Sequence, residues 1–381
     1  MRYGGSHTQR MTPPMEPSPG DALGQGSSID LRQAAEAALG RRIASATLTA
    51  RTPIDYDPYL PGRHVERVTG AAASVDGAHL PWTAVIKRTT GPGLRAARRE
   101  LAAYRLGIAA SEPTTGLRGP VLLASDDGDQ YVELWLEDLR DAHGGRWPVS
   151  RFGLAARHIA SWDARSRTTP MPAGFDSEDA WAERHGQPTR TADALHLLSS
   201  YRTPAARETM GRLGDPGFRR TEALIGSTSR RIASLAAFPQ SPLHHDLVRS
   251  NLFALSSSST AAIDWENVGR GPLGVDLATL VIGSVRRGEA ESDHLEEIER
   301  QVLTGYLDGL RESGIDAERD VRLAYRLALG LRWHVVLGTI GAALDPTMTG
   351  MRGSRPGESR TEGLRHMMAV ARHILDAGNV A

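Results

Sequence analysis

The stretch HHDLVRSN, from His244 to Asn251, has the residue types and spacing of a phosphoryl-transfer loop. It matches the pattern His-x-Asp-Leu-x-x-x-Asn at every specified position. In this chemistry the Asp accepts or orients the proton of the attacking hydroxyl, and the Asn oxygen reaches a metal ion on the nucleotide phosphates. We therefore predict Asp246 as the catalytic residue and Asn251 as a metal ligand. His244 is expected to pack beneath the loop and fix its backbone.

A second acidic motif, Ile-Asp-Trp-Glu, follows an apolar strand shortly after this loop. Mg²⁺ prefers oxygen ligands and keeps several waters, so one Asp and one Asn together with phosphate oxygens are sufficient to hold it. Asp264 is therefore predicted as the second metal ligand. Glu266, two residues later, is a further candidate for contact with the substrate or the loop.

Lys87 is the only lysine among 45 basic residues, and it closes the apolar run AVIK. A compact ammonium fits between phosphate oxygens in a way that a guanidinium does not. Glu100, on the helix predicted next, would pair with Lys87 and hold it against the α- and β-phosphates. The segment VELWLEDL follows, and its residues 135–138 are predicted to join two lobes and to offer backbone groups to a purine. The predicted nucleotide-binding set is Lys87, Glu100, Trp135, Leu136 and Glu137.

The elements that must position these residues indicate an α+β, bilobal protein-kinase-like fold. A first helix is predicted from Ser28 or Asp30 to Gly40, because Gly is a usual helix C-terminal signal. Strand-like runs and one helix then predict an antiparallel five-stranded lobe, with strands at 43–50, 65–75, 81–88, 119–127 and 130–139 and a helix at 94–108. The C-terminal part is predicted to be mostly helical, at 151–165, across most of 176–238, and at 274–287, 291–313, 318–343 and 360–377.

Three segments follow from this pattern. Residues 1–27 are rich in Gly, Pro and Ser and are predicted to form a disordered tail. Residues 28–140 form the predicted nucleotide-binding N-lobe. Residues 141–381 form the predicted C-lobe, which carries the catalytic loop and the acceptor-binding helices.

Taken in chain order, these motifs resemble the aminoglycoside phosphotransferase and choline kinase-like family, from about residue 45 to 345. The resemblance implies a kinase that uses Mg²⁺ and ATP or GTP to phosphorylate a hydroxyl of a small molecule. It also implies that Asp276, in GVDLATL, is a buried residue that ties the catalytic loop to the helical lobe. Asp-Trp-Glu in place of Asp-Phe-Gly, and the lack of an Ala-Pro-Glu segment, favour a small-molecule kinase over a protein kinase.

The sequence departs from the kinase pattern at two points and leaves two further roles open. No Gly-x-Gly-x-x-Gly phosphate loop lies between the first strands. His245 stands where Gly is common in the family, and its ring either enters the substrate site or packs. Arg249 either contacts phosphate or substrate, or is a solvated loop residue. Trp333, in RWHVVLG, either packs in the core or supplies a stacking surface to the acceptor wall.

Composition excludes several other classes of function. The 381 residues carry no net formal charge and no cysteine, so a nucleic-acid partner, disulfides and thiolate chemistry are not expected. No apolar run approaches the roughly 20 residues of a membrane helix. The N-terminus lacks a signal-peptide pattern, so we expect a cytoplasmic protein, as a monomer or homodimer.

The acceptor is the least determined part of the prediction. An antibiotic is the leading candidate, in a self-resistance role, and it would be an aminoglycoside, a nucleoside or another sugar-containing compound. The C-lobe mixes an acidic segment, 288–299, with arginines such as Arg332, Arg352 and Arg355, which disfavours a polycation. A metabolic sugar or amino-alcohol kinase and a pseudokinase-like nucleotide-binding regulatory module are the alternatives.

Overall fold

The computed structural model describes residues 28–54, 62–109, 115–169, 171, 175, 188–213, 217–345 and 358–379. The predicted tail, 1–27, lies outside the described residues, as does most of the segment between the first two strands. Helices and strands are numbered below in chain order within the described part.

The N-terminal lobe is a five-stranded antiparallel sheet with one helix on each face. Helix α1 (Leu31–Leu39) begins at Asp30, whose side chain accepts a hydrogen bond from the Arg32 N–H, and ends at Gly40 with φ 62°. Such a cap and such a left-handed glycine are the usual boundaries of a helix. The sheet has the order β1-β2-β3-β6-β5 and confirms the predicted lobe, with β1 (Ile43–Pro53), β2 (Arg63–Ser74), β3 (His79–Thr90), β5 (Leu122–Asp127) and β6 (Tyr131–Glu137).

The register of this sheet decides which side chains share a face. Val65 of β2 lies opposite Lys87 of β3, which in turn lies opposite Leu134 of β6. Because strand side chains alternate between faces, Arg63, Val65 and Arg67 lie on the Lys87 face. Helix α2 (Leu94–Arg105) packs on this same face, against a cluster that includes Leu134. The opposite face packs against α1 in a second cluster, where Trp82 and Trp135 stack.

The C-terminal lobe is mostly helical and surrounds two small sheets. Strands β8 (Leu252–Ala254) and β9 (Thr260–Ala262) form the predicted hairpin, and β7 (Gln240–Leu243) pairs with β10 (Gly269–Pro272). The short strand β4 (Leu117–Arg118) pairs in parallel with β9 and was not predicted, because two residues carry no periodicity. The helices are α3 (Val149–Ser166), α4 (Pro188–Ser200), α5 (Pro204–Arg212), α6 (Gly217–Gly226), α7 (Thr228–Ala236), α8 (Val275–Arg286), α9 (Leu295–Glu312), α10 (Glu318–Gly330), α11 (Trp333–Leu344) and α12 (Arg360–Ala377).

The single helix predicted over 318–343 is wrong, because the structure divides it into α10 and α11. The first half ends at Gly330, where a Cβ would lie 2.3 Å from the Arg231 guanidinium. Glu318–Leu344 is apolar and long enough to span a membrane by length and composition alone. However, 67% of its most apolar window is buried in the protein, as in the core helices of many soluble proteins.

Candidate active site

The catalytic loop is held from below by one buried carboxylate. Oδ2 of Asp276, at the start of α8, accepts hydrogen bonds from the backbone N–H groups of His244 (3.0 Å) and His245 (3.1 Å). Asp276 is 3% exposed, which agrees with the tethering role that the resemblance implies. The loop that carries Asp246 therefore has its backbone fixed to the helical lobe.

His244 packs beneath the loop as predicted. Its Nδ1 accepts the Asp246 N–H (3.3 Å), so Nε2 carries the proton and donates to the Ile263 carbonyl at 2.9 Å. Its ring centre lies 4.6 Å from that of Trp265. His244 thereby connects the loop of Asp246 to the segment that precedes Asp264.

Asp246 and Asn251 lie close together on this loop. The Asn251 side-chain amide donates to the Asp246 carbonyl at 2.9 Å, and it lies 3.4 Å from the Asp246 carboxylate. Because the side-chain nitrogen makes these contacts, the side-chain oxygen of Asn251 can face another ligand. The backbone carbonyl of Asn251 also accepts a hydrogen bond from the Ile263 N–H (2.9 Å). This bond joins the loop to the residue that precedes Asp264. The chemistry of Asn251 and Asp264, both lining one cavity, fits the oxygen-ligand preference of Mg²⁺.

Lys87 is buried at the junction of the two lobes. Its Nζ lies 2.7 Å from Glu100 of α2 and 2.5 Å from Asp264 of the C-lobe. The structure thus brings these three residues together, although Lys87 and Asp264 are 177 positions apart in the sequence. This is the Lys–Glu–Asp arrangement that the sequence predicts for the phosphate end of a kinase site.

Burial and charge perturb the pKa values of all three carboxylates near Lys87. Burial, only partly offset by Lys87, raises the pKa of Glu100 to about 7. Burial also acts to raise the pKa of Asp264, but the neighbouring Lys87 outweighs it and holds that pKa below its usual value. For Glu266, burial and the nearby Asp264 raise the pKa despite Lys87 and Arg63. Oxygen atoms of these carboxylates lie within 4.8 Å of one another.

Arg63 is part of this site and was missed by the sequence analysis. Its guanidinium forms an ion pair with Glu266, and the Arg63 side chain is only 4% exposed. The signal was present in the alternation of β2, since Arg63 is two residues from Val65 and four from Arg67 on one face. Without the register to Lys87, however, that face could not be assigned to the site.

A cavity of about 210 Å³ extends from Lys87 toward the connection between the lobes. It is lined by Ile54, Val65, Arg67, Val85, Lys87, Glu100, Pro120, Leu136, Glu137, Asp138, Leu139, Asn251, Phe253, Ile263 and Asp264. Most of the wall is apolar, which suits a planar base, and the charged groups lie at the two ends. Asp246 lies beside the end at Asn251.

The position of Trp135 corrects one part of the predicted nucleotide set. Its side chain is 3% exposed, stacks on Trp82 and donates from Nε1 to Glu133, on the face opposite the cavity. Its backbone pairs with β3 and β5 on both sides. Leu136 and Glu137 do line the cavity. The Glu137 N–H donates to the Val121 carbonyl (2.9 Å), so the backbone that can meet a base begins at the Glu137 carbonyl, where β6 ends.

Three further candidates prove to be packing residues. His245, at φ 65°, is buried and its Nε2 lies 3.0 Å from the Arg270 carbonyl, so its ring packs under β10. Arg249 is buried as well, 3.1 Å from Asp141 and 4.4 Å from the Trp147 ring centre, so it is neither solvated nor free for phosphate. Trp333 is 6% exposed and donates to Thr228 within the core, so it offers no stacking surface.

Comparison with known proteins identifies the family. A model of the phosphotransferase enzyme family matches residues 36–313, more than half of the chain. The chain belongs to the phosphotransferase enzyme family. The predicted family is therefore confirmed, and with it the prediction of a small-molecule kinase. A search of the curated proteins gave no match.

One solved structure with a TM-score above 0.5 confirms the bilobal fold of this phosphotransferase, and two further similar structures have lower scores. An aminoglycoside phosphotransferase from Alicyclobacillus acidocaldarius is 14% identical, with a TM-score of 0.51, over 94% of this chain and 96% of that one. One from Streptomyces rimosus is 18% identical, with a TM-score of 0.43, over 74% and 92%. A spectinomycin phosphotransferase, solved with ADP and spectinomycin, is 11% identical, with a TM-score of 0.47, over 90% and 95%.

Proposed function

We propose that this phosphotransferase moves the γ-phosphate of ATP or GTP to a hydroxyl of a small molecule in a Mg²⁺-dependent reaction. One observation carries the proposal: Lys87, Glu100 and Asp264 meet at the same cavity as Asn251. Family membership gives the phosphotransferase class. The nucleotide, the ion and the acceptor are inferred from this geometry.

The cavity suggests how the nucleotide would lie. Its base would contact the apolar wall and the backbone from Glu137 to Leu139, and Lys87 would contact the α- and β-phosphates. Asn251 and Asp264 would hold Mg²⁺, which would neutralise charge on the phosphate oxygens. Glu100 would orient Lys87, because their 2.7 Å contact fixes the ammonium on the cavity side of β3.

Asp246 would act on the acceptor hydroxyl. Its carboxylate takes the hydroxyl proton while the acceptor oxygen forms a bond to the γ-phosphorus. The bond from that phosphorus to the bridging oxygen breaks, and ADP or GDP leaves with the bonding electrons. Asn251 and His244 hold the Asp246 loop in place, so the chain contributes mainly positioning and charge.

The acceptor we propose is a sugar-containing antibiotic. Charged groups beside the catalytic loop are mixed rather than purely acidic: Glu289 accepts the Ser250 N–H, and Arg287 donates to the Ser250 hydroxyl. Nearby, Arg146 lies 3.7 Å from Glu291. This balance favours an acceptor that is neutral or carries few charges over a polycation. A metabolic sugar or amino-alcohol kinase is the alternative within the same chemistry.

The decisive experiment measures Mg²⁺-dependent release of ADP or GDP with a panel of hydroxylated antibiotics, sugars and amino alcohols. One compound should stimulate release, and Asp246→Ala should lower that turnover at least about 10³-fold while nucleotide affinity stays within about threefold. Asp308→Ala, which removes an exposed carboxylate on α9, is the matched control and should change neither. Near-normal turnover in Asp246→Ala would contradict the mechanism. Nucleotide binding without stimulation by any compound would favour the regulatory module.

A further inference from the structure

Arg63 is a cation of the N-lobe that is held inside the active site by the C-lobe. It is the first residue of β2, yet its side chain is 4% exposed, and its partner Glu266 is 11% exposed. An arginine at the start of a strand that served only solubility would point into solvent. Arg63 points instead at the motif that contains Asp264.

The strand places Arg63 beyond Lys87, away from the connection between the lobes. Along the cavity face of β2, Arg67 pairs with Asp138 at the connection, and Val65 lies opposite Lys87. Arg63 follows two residues further, about 7 Å past Val65. A nucleotide with its base at the connection and its α- and β-phosphates at Lys87 therefore extends its third phosphate toward Arg63.

The two cations share a set of carboxylates that would prefer a divalent ion. Lys87 Nζ is 2.5 Å from Asp264 and 3.7 Å from Glu266, and Arg63 pairs with Glu266. Because buried carboxylates need a cation, Lys87 and Arg63 compensate them here. A divalent ion bound at Asp264 would replace that compensation. Arg63 would then be able to turn toward phosphate oxygens, while Lys87 would stay beside Glu100, 2.7 Å away.

We infer that Arg63 is a second phosphate-binding residue, whose ligand is the γ-phosphate of a nucleoside triphosphate. This rests on the proposed function and extends it. A guanidinium supplies several donors in a planar fork that matches phosphate oxygens. It provides donors in a site whose sequence lacks the Gly-x-Gly-x-x-Gly loop. Arg63 pairs with Glu266 before the nucleotide binds and with phosphate afterwards.

Affinity for a non-hydrolysable triphosphate and for the diphosphate, both with Mg²⁺, tests this inference without any acceptor. Arg63→Met should weaken triphosphate binding about 10- to 100-fold, as for the loss of a charged hydrogen bond. Diphosphate binding should change less than about threefold. Arg63→Lys keeps the charge and should restore part of the triphosphate affinity.

Arg88→Met is the matched control. Arg88 pairs with the buried Glu133 on the opposite face of the same sheet, 3.2 Å away, so its loss breaks a similar ion pair outside the cavity. We expect no change in the ratio of the two affinities. Thermal unfolding shows whether each variant folds. If Arg63→Met does not fold, the affinities of Arg63→Lys alone test the inference.

Two results would overturn the inference. The first is an equal loss of affinity for triphosphate and diphosphate in Arg63→Met. The second, used when only Arg63→Lys folds, is an unchanged ratio of the two affinities in that variant. Either result would make Arg63 a contact that merely joins the lobes. If the unmodified protein binds neither nucleotide, the proposed function itself fails, and the inference fails with it.

Discussion

The two ends of the cavity both hold cation–carboxylate pairs, but the pairs differ in burial. At the connection between the lobes, Arg67 bonds both oxygens of Asp138 (2.9 and 3.0 Å), and the Arg67 side chain is 41% exposed. At the phosphate end, Lys87, Glu100 and Asp264 are all nearly enclosed. Asp138 itself is 1% exposed, so water screens the first pair only from the Arg67 side, and it screens Lys87 and its partners less.

This difference is visible in the carboxylate pKa values. At the connection, burial acts to raise the pKa of Glu137, but the hydrogen bond from Arg118 outweighs it and the pKa falls below its usual value. At the phosphate end, burial prevails, and the pKa values of Glu100 and Glu266 rise. Burial therefore dominates the pKa values of Glu100 and Glu266 at the phosphate end, whereas the hydrogen bond from Arg118 prevails for Glu137 at the connection.

The largest difference should come from Lys87→Met. Removing the ammonium that we propose to face the α- and β-phosphates should lower kcat/KM for the nucleotide by about 10²- to 10³-fold, the cost of losing one preorganised charged group. Initial rates of nucleotide diphosphate release measure this, with circular dichroism to verify folding. A loss smaller than about tenfold would show that the two ends do not differ in catalytic importance.

A pH series of unfolding free energies tests the electrostatics of the phosphate end next. The pKa of Glu100 is about 7 in the folded protein, above its ordinary value of 4.5, so the folded state retains a proton that the unfolded state releases. The contribution of Glu100 is fully present below pH 4.5 and is lost as pH rises through 7. Relative to Glu100→Gln, the unmodified protein should lose up to about 3 kcal/mol over this range. If urea unfolding gave the same difference in free energy between the unmodified protein and Glu100→Gln at every pH, the pKa of Glu100 would not be raised.

Glu100→Gln should have a smaller effect on turnover. The amide oxygen still accepts a hydrogen bond from Lys87, but the ionic part of the interaction is lost, so kcat/KM should fall about tenfold. The unfolding free energy at pH 7 should not fall, because the variant removes a buried carboxylate. Loss of stability without loss of activity would reverse our assignment of Glu100 as a positioning residue.

The smallest effect is expected from Arg67→Met at the connection end. Since the Arg67 side chain is 41% exposed and water partly screens its charge, nucleotide affinity and kcat should each change less than about threefold. Nucleotide titration and steady-state rates on this variant, measured beside Lys87→Met, compare the two ends directly. A loss as large as that of Lys87→Met would mean that Arg67 contacts the nucleotide.

Local spacing was enough to predict much of the site. Asp246 and Asn251 lie on one short loop, and Asp264 follows one strand, so their proximity depends on few backbone angles. A C-terminal glycine likewise predicted the end of α1, strong helix formers predicted α2, and β-type runs between turn signals predicted the five strands. The pairing of Lys87 with Glu100 was predictable because strand and helix follow each other directly along the chain.

The sequence by itself determined the order of the chemical groups and the lobes that carry them, because these depend on local periodicity and loop length. Tertiary structure alone decided which faces those groups occupy. Register placed Arg63 on the Lys87 face of the sheet and Trp135 on the opposite face, and packing buried His245, Arg249 and Trp333. The physical reason is that a side chain's partner is set by the element packed against it, and that element lies far away in the chain.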